Sequence, residues 1–350
     1  MDEQTPHKRR VRYSGTHPKR FQEKYKELNP EKYGDDVQRI IAKGNTPAGM
    51  HISIMVEEIL GVLNIQSGEK GLDATLGYGG HTTAMLEKLQ GKGHVYGLDI
   101  DPIEIVKTTE RLRGKGFGEE LFTPVHTNFA NLATVAQDHG TMDFLLADLG
   151  VSSMQIDNPE RGFSFKREGK LDLRLNPEQG ISAAERLASV SMEELEGMFV
   201  ENADEPLAYP IAKAVVKSRD RHPVQTTTDL KKIVESVVAK DKSINASQRE
   251  LVVKKTCQRV FQALRIDVNQ EYEVLHSFLE ALPEAMSSGG RIAILTFHSG
   301  EDRLVKKAFK AGLQAGVYKE IAQDVVRPTA AECGRNPRAT STKLRWAIKE

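Results

Sequence analysis

At 350 residues, 39% apolar and 28% charged, the chain has the length of about two globular domains and ample core for a large fold. No run approaches the ~18 apolar residues of a membrane span and no apolar leader is expected, while two cysteines, Cys257 and Cys333, exclude a disulfide framework and a four-cysteine zinc site and fit a reducing cytoplasm. The net charge is zero, from 49 Lys+Arg against 49 Asp+Glu, which taken alone argues against a phosphate-rich partner.

Residues 1–46 read as a basic N-terminal extension, polar and broken by Pro18, Pro30 and Gly44. Eight basic side chains stand against three acidic ones in residues 1–26, interleaved with Tyr13, His17, Phe21 and Tyr25. Cations beside flat rings suit RNA, whose unpaired bases offer stacking faces next to phosphates. Alternating strand and helix signals begin near His51. Helical spacing over 52–63 precedes a short apolar run that ends in small residues, 71–82, and a helix to Gln90. A second strand over 94–100 leads into a helix opened by Asp101 and Pro102, with proline in the first turn. A third strand covers 122–128, and a fourth, 142–150, is almost continuously apolar, as a strand covered on both faces should be.

From about residue 157 to 258 the strand signals stop. Helical segments take over at 181–190, 191–200, 206–219 and 227–240, with Ser191 and the pair Thr228 and Asp229 as expected caps. A helix over 269–286, the pair Gly289 and Gly290, a strand over 291–299, a helix over 301–314 and a closing strand over 343–349 restore the alternation. The expected fold class is α/β: a Rossmann-like parallel sheet (47–156 and 259–350) interrupted after its fourth strand by a helical insertion, 157–258, expected to carry the RNA substrate. Residues 327–350 hold six basic side chains against two acidic ones, so the chain divides into +5, −9 and +4, and both basic ends are expected to be free to meet phosphate.

Open parallel sheets bind ligands outside the carboxyl ends of their strands, near the point where strand order reverses. Strand one ends in Asp73, followed by Gly77, Gly79 and Gly80, which allow a tight turn and close approach of a ligand to the backbone. Strand two ends in Asp99, 22 residues after Gly77, where a carboxylate can accept both hydrogen bonds of a ribose diol. The competing reading of Asp99 and Asp101 is helix capping, which falls more naturally to Asp101. The dinucleotide fingerprint needs a glycine where Thr82 stands, and no Walker phosphate loop is present. Asp73 would repel a pyrophosphate but suits the cationic, zwitterionic tail of S-adenosyl-L-methionine. Strand four ends in Asp148, with Ser152, Ser153 and Gln155 beyond it, where a methyl donor would sit. An exocyclic amine on a base is a poor nucleophile, because its lone pair is delocalised into the ring. A carboxylate or carbonyl can hold such an amine and drain its charge during transfer. Ser152 and Ser153 also read as an ordinary turn.

Long words then follow one another: His51, DATLGYGGH (73–81), DLGVSSMQID (148–157), RGFSF (161–165), LDLRLNPEQG (171–180), FQALRIDVN (261–269), GGRIAILTFHS (289–299) with Glu301, Asp302 and Arg303, and NPRATSTKLR (336–345). In these words, over roughly residues 50–350, the chain resembles the bacterial 16S ribosomal RNA cytosine-N4 methyltransferases. The resemblance implies a class I methyltransferase sheet, S-adenosyl-L-methionine as cofactor, and 16S ribosomal RNA of the small ribosomal subunit as partner. It implies that Gly79, Gly80 and His81, beside Asp73 and Gly77, contact the methionine part of the cofactor, and Asp99 the ribose. Phe129 would pack on the adenine, or else be a plain core residue. Asp148 and Gln155 would complete the pocket, with Asp148 also near the acceptor amine alongside Ser152, Ser153 and His298. Ser299 faces the same cleft. Arg161, Arg174, Arg265 and Arg303 would be substrate-side or structural arginines.

The chain departs from that family at Gly300, usually Leu, at KKTCQRV (254–260), where a proline is common, at NADEPLAYP (202–210), and in the basic extension. These departures fall on the expected RNA-facing lobe and the extension and leave the cofactor words intact. A paralogous methyltransferase acting on another RNA or DNA position is one alternative. A ribosome-assembly factor that binds RNA without catalysis is another, which the intact Asp148 and the Gly79, Gly80 and His81 run disfavour. No metal is expected, because the ten histidines are scattered and none pairs with cysteine or carboxylate at ligand spacing.

Overall fold

The computed structural model describes residues 53–350; the basic extension and His51 lie outside the described residues. Seven strands form one sheet: β1 (Lys70–Asp73), β2 (His94–Asp99), β3 (Phe122–His126), β4 (Met142–Asp148), β5 (Met286–Thr296), β6 (Tyr318–Ile321) and β7 (Lys343–Lys349), in the order β3-β2-β1-β4-β5-β7-β6. The five strands β3, β2, β1, β4 and β5 are mutually parallel, and β7 runs antiparallel to both its neighbours. Strand order reverses between β1 and β4. Asp73 and Asp148 therefore end the two strands that flank the crevice.

Helices α1 (Val56–Leu63), α2 (Gly80–Leu89) and α3 (Pro102–Gly114) cover one face of the sheet, and α4 (Leu132–His139) lies on the other. Alternate residues of β4 explain both layers. Phe144 and Leu146 pack with Ile59, Met85 and Leu89, while Leu145 and Ala147 pack with Leu132 and Val135. The second face is completed by two later helices that flank β5, described below.

Between β4 and β5 stand the short α5 (Ser153–Asp157), then α6 (Ala183–Ser189), α7 (Met192–Ala203), α8 (Ala208–Arg219), α9 (Thr227–Lys240) and α10 (Arg249–Asn269). Helices α6 to α10 bury their own core around Leu187, Phe199, Ile211, Val234 and Phe261. The expected boundary at residue 258 cuts α10, which is continuous through Gln258 and packs Cys257, Val260 and Leu264 into that core. Ser191 caps α7 as expected, but α9 is capped by Thr226, whose hydroxyl accepts from Asp229 N; Asp229 returns the bond three residues on, so the cap lies two residues before Thr228.

Helices α11 (Glu271–Ala285) and α12 (Ser299–Gln314) place Leu275, Phe278, Leu282, Val305 and Phe309 against the second face, and the short α13 (Ala330–Arg335) precedes β7. Strand β5 starts five residues earlier than the sequence reading has it and takes in Gly289 and Gly290. Pairing with β4 is irregular there, Gly289 has φ 74°, and a Cβ on Gly290 would lie 2.8 Å from Ser287 O; the glycines mark a bulge inside the strand rather than its boundary. The edge strand β6 was not expected: its four residues are too few to show alternation. Among the described residues, no helix is long and apolar enough to cross a membrane.

Candidate active site

Asp73, Asp99 and Asp148 close β1, β2 and β4 at the same end of the sheet. The turn after β1 is built on the first two. Asp73 is 1% exposed; Oδ2 accepts from Thr82 Oγ1 (2.6 Å) and Oδ1 from Thr75 N (3.1 Å). Thr82, the residue that breaks the dinucleotide fingerprint, thus clamps the turn. Asp99 accepts from Gly77 N through Oδ2 and from Asp101 N through Oδ1, both at 2.8 Å. Gly79 caps α2 at φ 76°, in the left-handed region. A Cβ there would lie 2.6 Å from Thr108 Cγ2, and one on Gly80 would lie 2.0 Å from Ser53 Oγ. Gly79 is therefore required by its left-handed backbone, while a side chain at Gly80 would force the Ser53 hydroxyl to turn away.

Asp148 is the least satisfied of the three. Its Oδ1 is shielded and without a hydrogen-bond partner among the described residues, and its Oδ2 lies 3.6 Å from His81 Nδ1. His81 Nε2 lies 2.9 Å from Ile54 O, and a carbonyl only accepts, so Nε2 carries a proton and Nδ1 is turned to Asp148. Burial raises all three carboxyls. Asp73 is moved upward, Asp99 to about 7 and Asp148 to about 6, the last with His81 opposing the rise and Asp73 and Glu301 adding to it. Three under-compensated carboxylates suit a ligand that brings positive charge and hydroxyl donors. They would reject a pyrophosphate. Phe129, half-buried and edge-on to Phe278 (5.2 Å), stands at the end of β3, beside Asn128, which caps its turn.

His298 caps α12 and pairs with Glu301: Nε2 is 3.1 Å from Glu301 Oε1 but not aligned as a hydrogen bond, while Glu301 Oε2 accepts from Phe297 N (2.8 Å). Burial alone would raise Glu301; His298 and Arg265 instead hold it below the usual carboxylate range. The ring of Tyr272 lies 6.0 Å from that of His298 and fills the space left by Gly300, where a Cβ would sit 2.1 Å from Tyr272 Oη. Ser299 and Arg303 are exposed at the start of α12.

The other predicted residues are bonded within the protein. Ser152 caps α5 by accepting from Gln155 N, and Gln155 returns Oε1 to Ser152 N (2.9 Å) while donating Nε2 to Asp101 Oδ2 (3.1 Å); Ser153 opens the helix itself. Arg161, 9% exposed, donates to Asp101 Oδ2 (2.6 Å) and to the carbonyls of Arg174 and Leu175. Arg174 forks onto Asp172 (2.7 and 2.8 Å) and Arg265 onto Glu271 (2.7 and 2.8 Å). Asp101, 0% exposed, is thus more than the cap of α3: it receives Gln155 and Arg161 from 54 and 60 residues away. Its position before Pro102 signals the cap, but nothing local signals the long-range pair.

Two expectations change. Glu271, His298 and Glu301 bring possible ligand atoms within 4.8 Å of one another, so histidine and carboxylate do meet at ligand spacing; Arg265 holds both oxygens of Glu271 there. The basic C-terminal end is not free: Arg338 pairs with Asp157 (3.1 Å), and Lys343 (2.9 Å) and Arg345 (2.6 Å) pair with Asp302. Lys349 donates to the carbonyls of Pro283 and Met286.

A parallel sheet with one antiparallel strand near its edge, carrying one buried and two half-buried acids at its strand ends, is the frame of a class I methyltransferase that uses S-adenosylmethionine. Residues 48–350 match the MraW methylase family, and the chain belongs to that family. It is 62% identical to a Lachnoclostridium phytofermentans protein named ribosomal RNA small subunit methyltransferase H 1, over 98% of this chain and 93% of that one. Identity is 59% to an Agathobacter rectalis protein of the same name, over 100% of this chain and 99% of that one. Ribosomal RNA small subunit methyltransferase H of Thermomicrobium roseum is 38% identical, over 85% of this chain and 93% of its own.

Proposed function

We propose that the chain methylates the N4 exocyclic amine of a cytidine in the decoding centre of 16S ribosomal RNA, acting on the small ribosomal subunit in the cytoplasm. The observation that carries this reading is the near-full-length likeness to proteins named for the small-subunit RNA, joined to a strand end built for an amine. When bound, S-adenosylmethionine supplies a sulfonium methyl group open to in-line attack. Asp99 would hold the ribose diol and Phe129 the adenine. Asp73, with both oxygens already engaged, would contribute charge beneath the methionine tail held by the Gly77 to His81 turn.

Asp148 would do the acid–base work. Its carboxylate, 25% exposed, can accept an N–H of the target amine, which localises the nitrogen lone pair for attack. Methylation leaves a positive charge on that nitrogen, and one N–H proton must leave. The Asp148 carboxylate takes it and becomes a neutral carboxyl, with His81 Nδ1 3.6 Å behind it. Ser152, Gln155, Arg161 and Asp101 are positioning residues: their bonds tie the segment after β4 to the ends of β2 and α3. Arg174, Arg265 and His298 likewise act through their carboxylate partners, leaving Ser299 and Arg303 for the substrate. The helical lobe, α6 to α10, would clamp RNA whose target base is turned out of its stack.

One observation favours a second reading. The relatives' names carry the numerals 1 and 2, as where one genome holds two such chains, so this copy could serve a different position on the RNA. Incubating the chain with S-adenosylmethionine and purified unmethylated small subunits, then mapping the product by nucleoside mass spectrometry, tests both. N4-methylcytidine at the decoding centre is expected. A methyl group elsewhere selects the second reading, and no methyl group on the subunit overturns both.

A further inference from the structure

While Arg338, Lys343 and Arg345 are paired internally, four exposed cations of the helical lobe converge on one groove. A groove of about 410 Å³ lies between the end of α8 and the length of α9. Lys217, Arg221, Lys232 and Lys240 line it, all four exposed and without an ion pair or side-chain hydrogen bond among the described residues. The acid on the lining, Asp229, is turned to its own backbone, accepting from Gln225 N (3.3 Å) and Thr226 N (3.0 Å). Four cations around one groove outnumber its single carboxylate and repel one another, and an anion in the groove relieves that cost.

A second observation points to the kind of anion. Tyr209, Lys213 and Lys217 recur every four residues on α8 and so share one face, which runs toward Arg221 and the groove. Tyr209 is 48% exposed, with Lys213 Nζ 5.7 Å from its ring centroid. An exposed ring in line with cations offers a stacking surface for a base beside contacts for phosphate. An isolated inorganic anion has no use for the ring.

We propose that this groove and the Tyr209 face of α8 form a second RNA-docking surface, which holds the phosphodiester backbone of the substrate RNA and stacks an unpaired base on Tyr209. The proposal rests on the functional reading above and adds where the RNA is gripped. The test compares the full chain with a variant carrying Lys217→Gln, Arg221→Gln, Lys232→Gln and Lys240→Gln. A charge-matched control carries Lys306→Gln, Lys307→Gln, Lys310→Gln and Lys319→Gln, all exposed on α12 and β6. Binding to purified small subunits is measured across salt concentrations, and S-adenosylhomocysteine affinity by calorimetry reports that the fold is intact.

The groove variant should bind the subunit more weakly by at least about tenfold, with a slope of log K against log salt shallower by about 3, as four lost phosphate contacts require. The control should match the wild type. Tyr209→Ala should weaken binding by about five- to a hundredfold and leave the salt slope unchanged. If the wild type methylates the subunit but the groove variant keeps its salt slope, or the control loses as much, the groove proposal is overturned and the functional reading stands. If the wild type neither binds nor methylates the subunit, both fail.

Discussion

Protonation of Asp99 should release the cofactor. One of its oxygens is committed to Gly77 N and the other to Asp101 N, and burial lifts the carboxyl to about 7. A ribose diol brings two more hydroxyl donors and needs the ionised form as acceptor. A protonated carboxyl gives one acceptor position to its own hydrogen while both backbone donors keep their claims. The binding-competent fraction is then about one-half at pH 7, nine-tenths at pH 8 and one-tenth at pH 6, so affinity should weaken about tenfold from pH 8 to pH 6, or about 1.4 kcal/mol. Calorimetric titration with S-adenosylhomocysteine in buffers of different ionisation enthalpy reads both the affinity and about half a proton released at pH 7. Asp148, raised to about 6, adds to the slope only at the acid end. Asp99→Asn should bind weakly at every pH between 6.5 and 8, because an amide cannot accept from both backbone N–H groups. The folding stability should run the opposite way. A carboxyl whose folded value lies above its unfolded value near 4 holds more protons folded than unfolded between those values, so the ligand-free protein loses stability as pH rises from about 4 to 7. An affinity flat from pH 6 to 8, or a tenfold change that survives in Asp99→Asn, would refute the assignment.

Asp148→Asn should lower kcat by about 10²- to 10⁴-fold while S-adenosylhomocysteine affinity changes only a few-fold. In the wild type the acid limb of kcat should fall at or below about pH 6, since a bound cation can only lower a carboxyl that burial has raised. Arg161→Met strands the fully buried Asp101 charge and should cost about 3–5 kcal/mol in urea denaturation, part of which Asp101→Asn should return in the double variant. Gly300→Leu forces a side chain into the Tyr272 ring and should cost about 1–3 kcal/mol; adding Tyr272→Ala should recover most of it, and strict additivity of the two changes would exclude the pairing.

The departure at Gly300 illustrates what a chain read alone conceals. Leucine is usual there, and glycine looks like a simple loss. In the fold the missing side chain is replaced by Tyr272, 28 residues earlier in sequence, whose hydroxyl reaches Asn202 O in the helical lobe at 3.5 Å. The arginines teach the same lesson from the other side. Arg161, Arg174 and Arg265 sit in words shared with RNA methyltransferases, yet each guanidinium is taken up by a carboxylate or by backbone carbonyls. Charge counted along the chain misleads for the same reason. Three cations of the C-terminal segment face Asp157 and Asp302, whereas the groove cations of the lobe lie within the middle of the chain, residues 27–326, whose net count is −9.

What the sequence determines by itself is whatever local periodicity and short-range turn chemistry control. The parallel strands, the carboxylates at their ends, the glycine turn, the helical block after β4 and the caps at Asp101 and Ser191 all depend on residues within a few positions of one another. Tertiary structure alone decides which polar groups are already satisfied. Among the described residues, Asp148 keeps one oxygen unpartnered because β1, β4 and β5 bring His81, Asp73 and Glu301 around it without supplying a donor, whereas Asp73 gains Thr82 and Asp101 gains Arg161. A hydrogen bond or ion pair saturates within about 3 Å and is indifferent to separation along the chain, so the chemically available groups emerge only once distant segments are packed together.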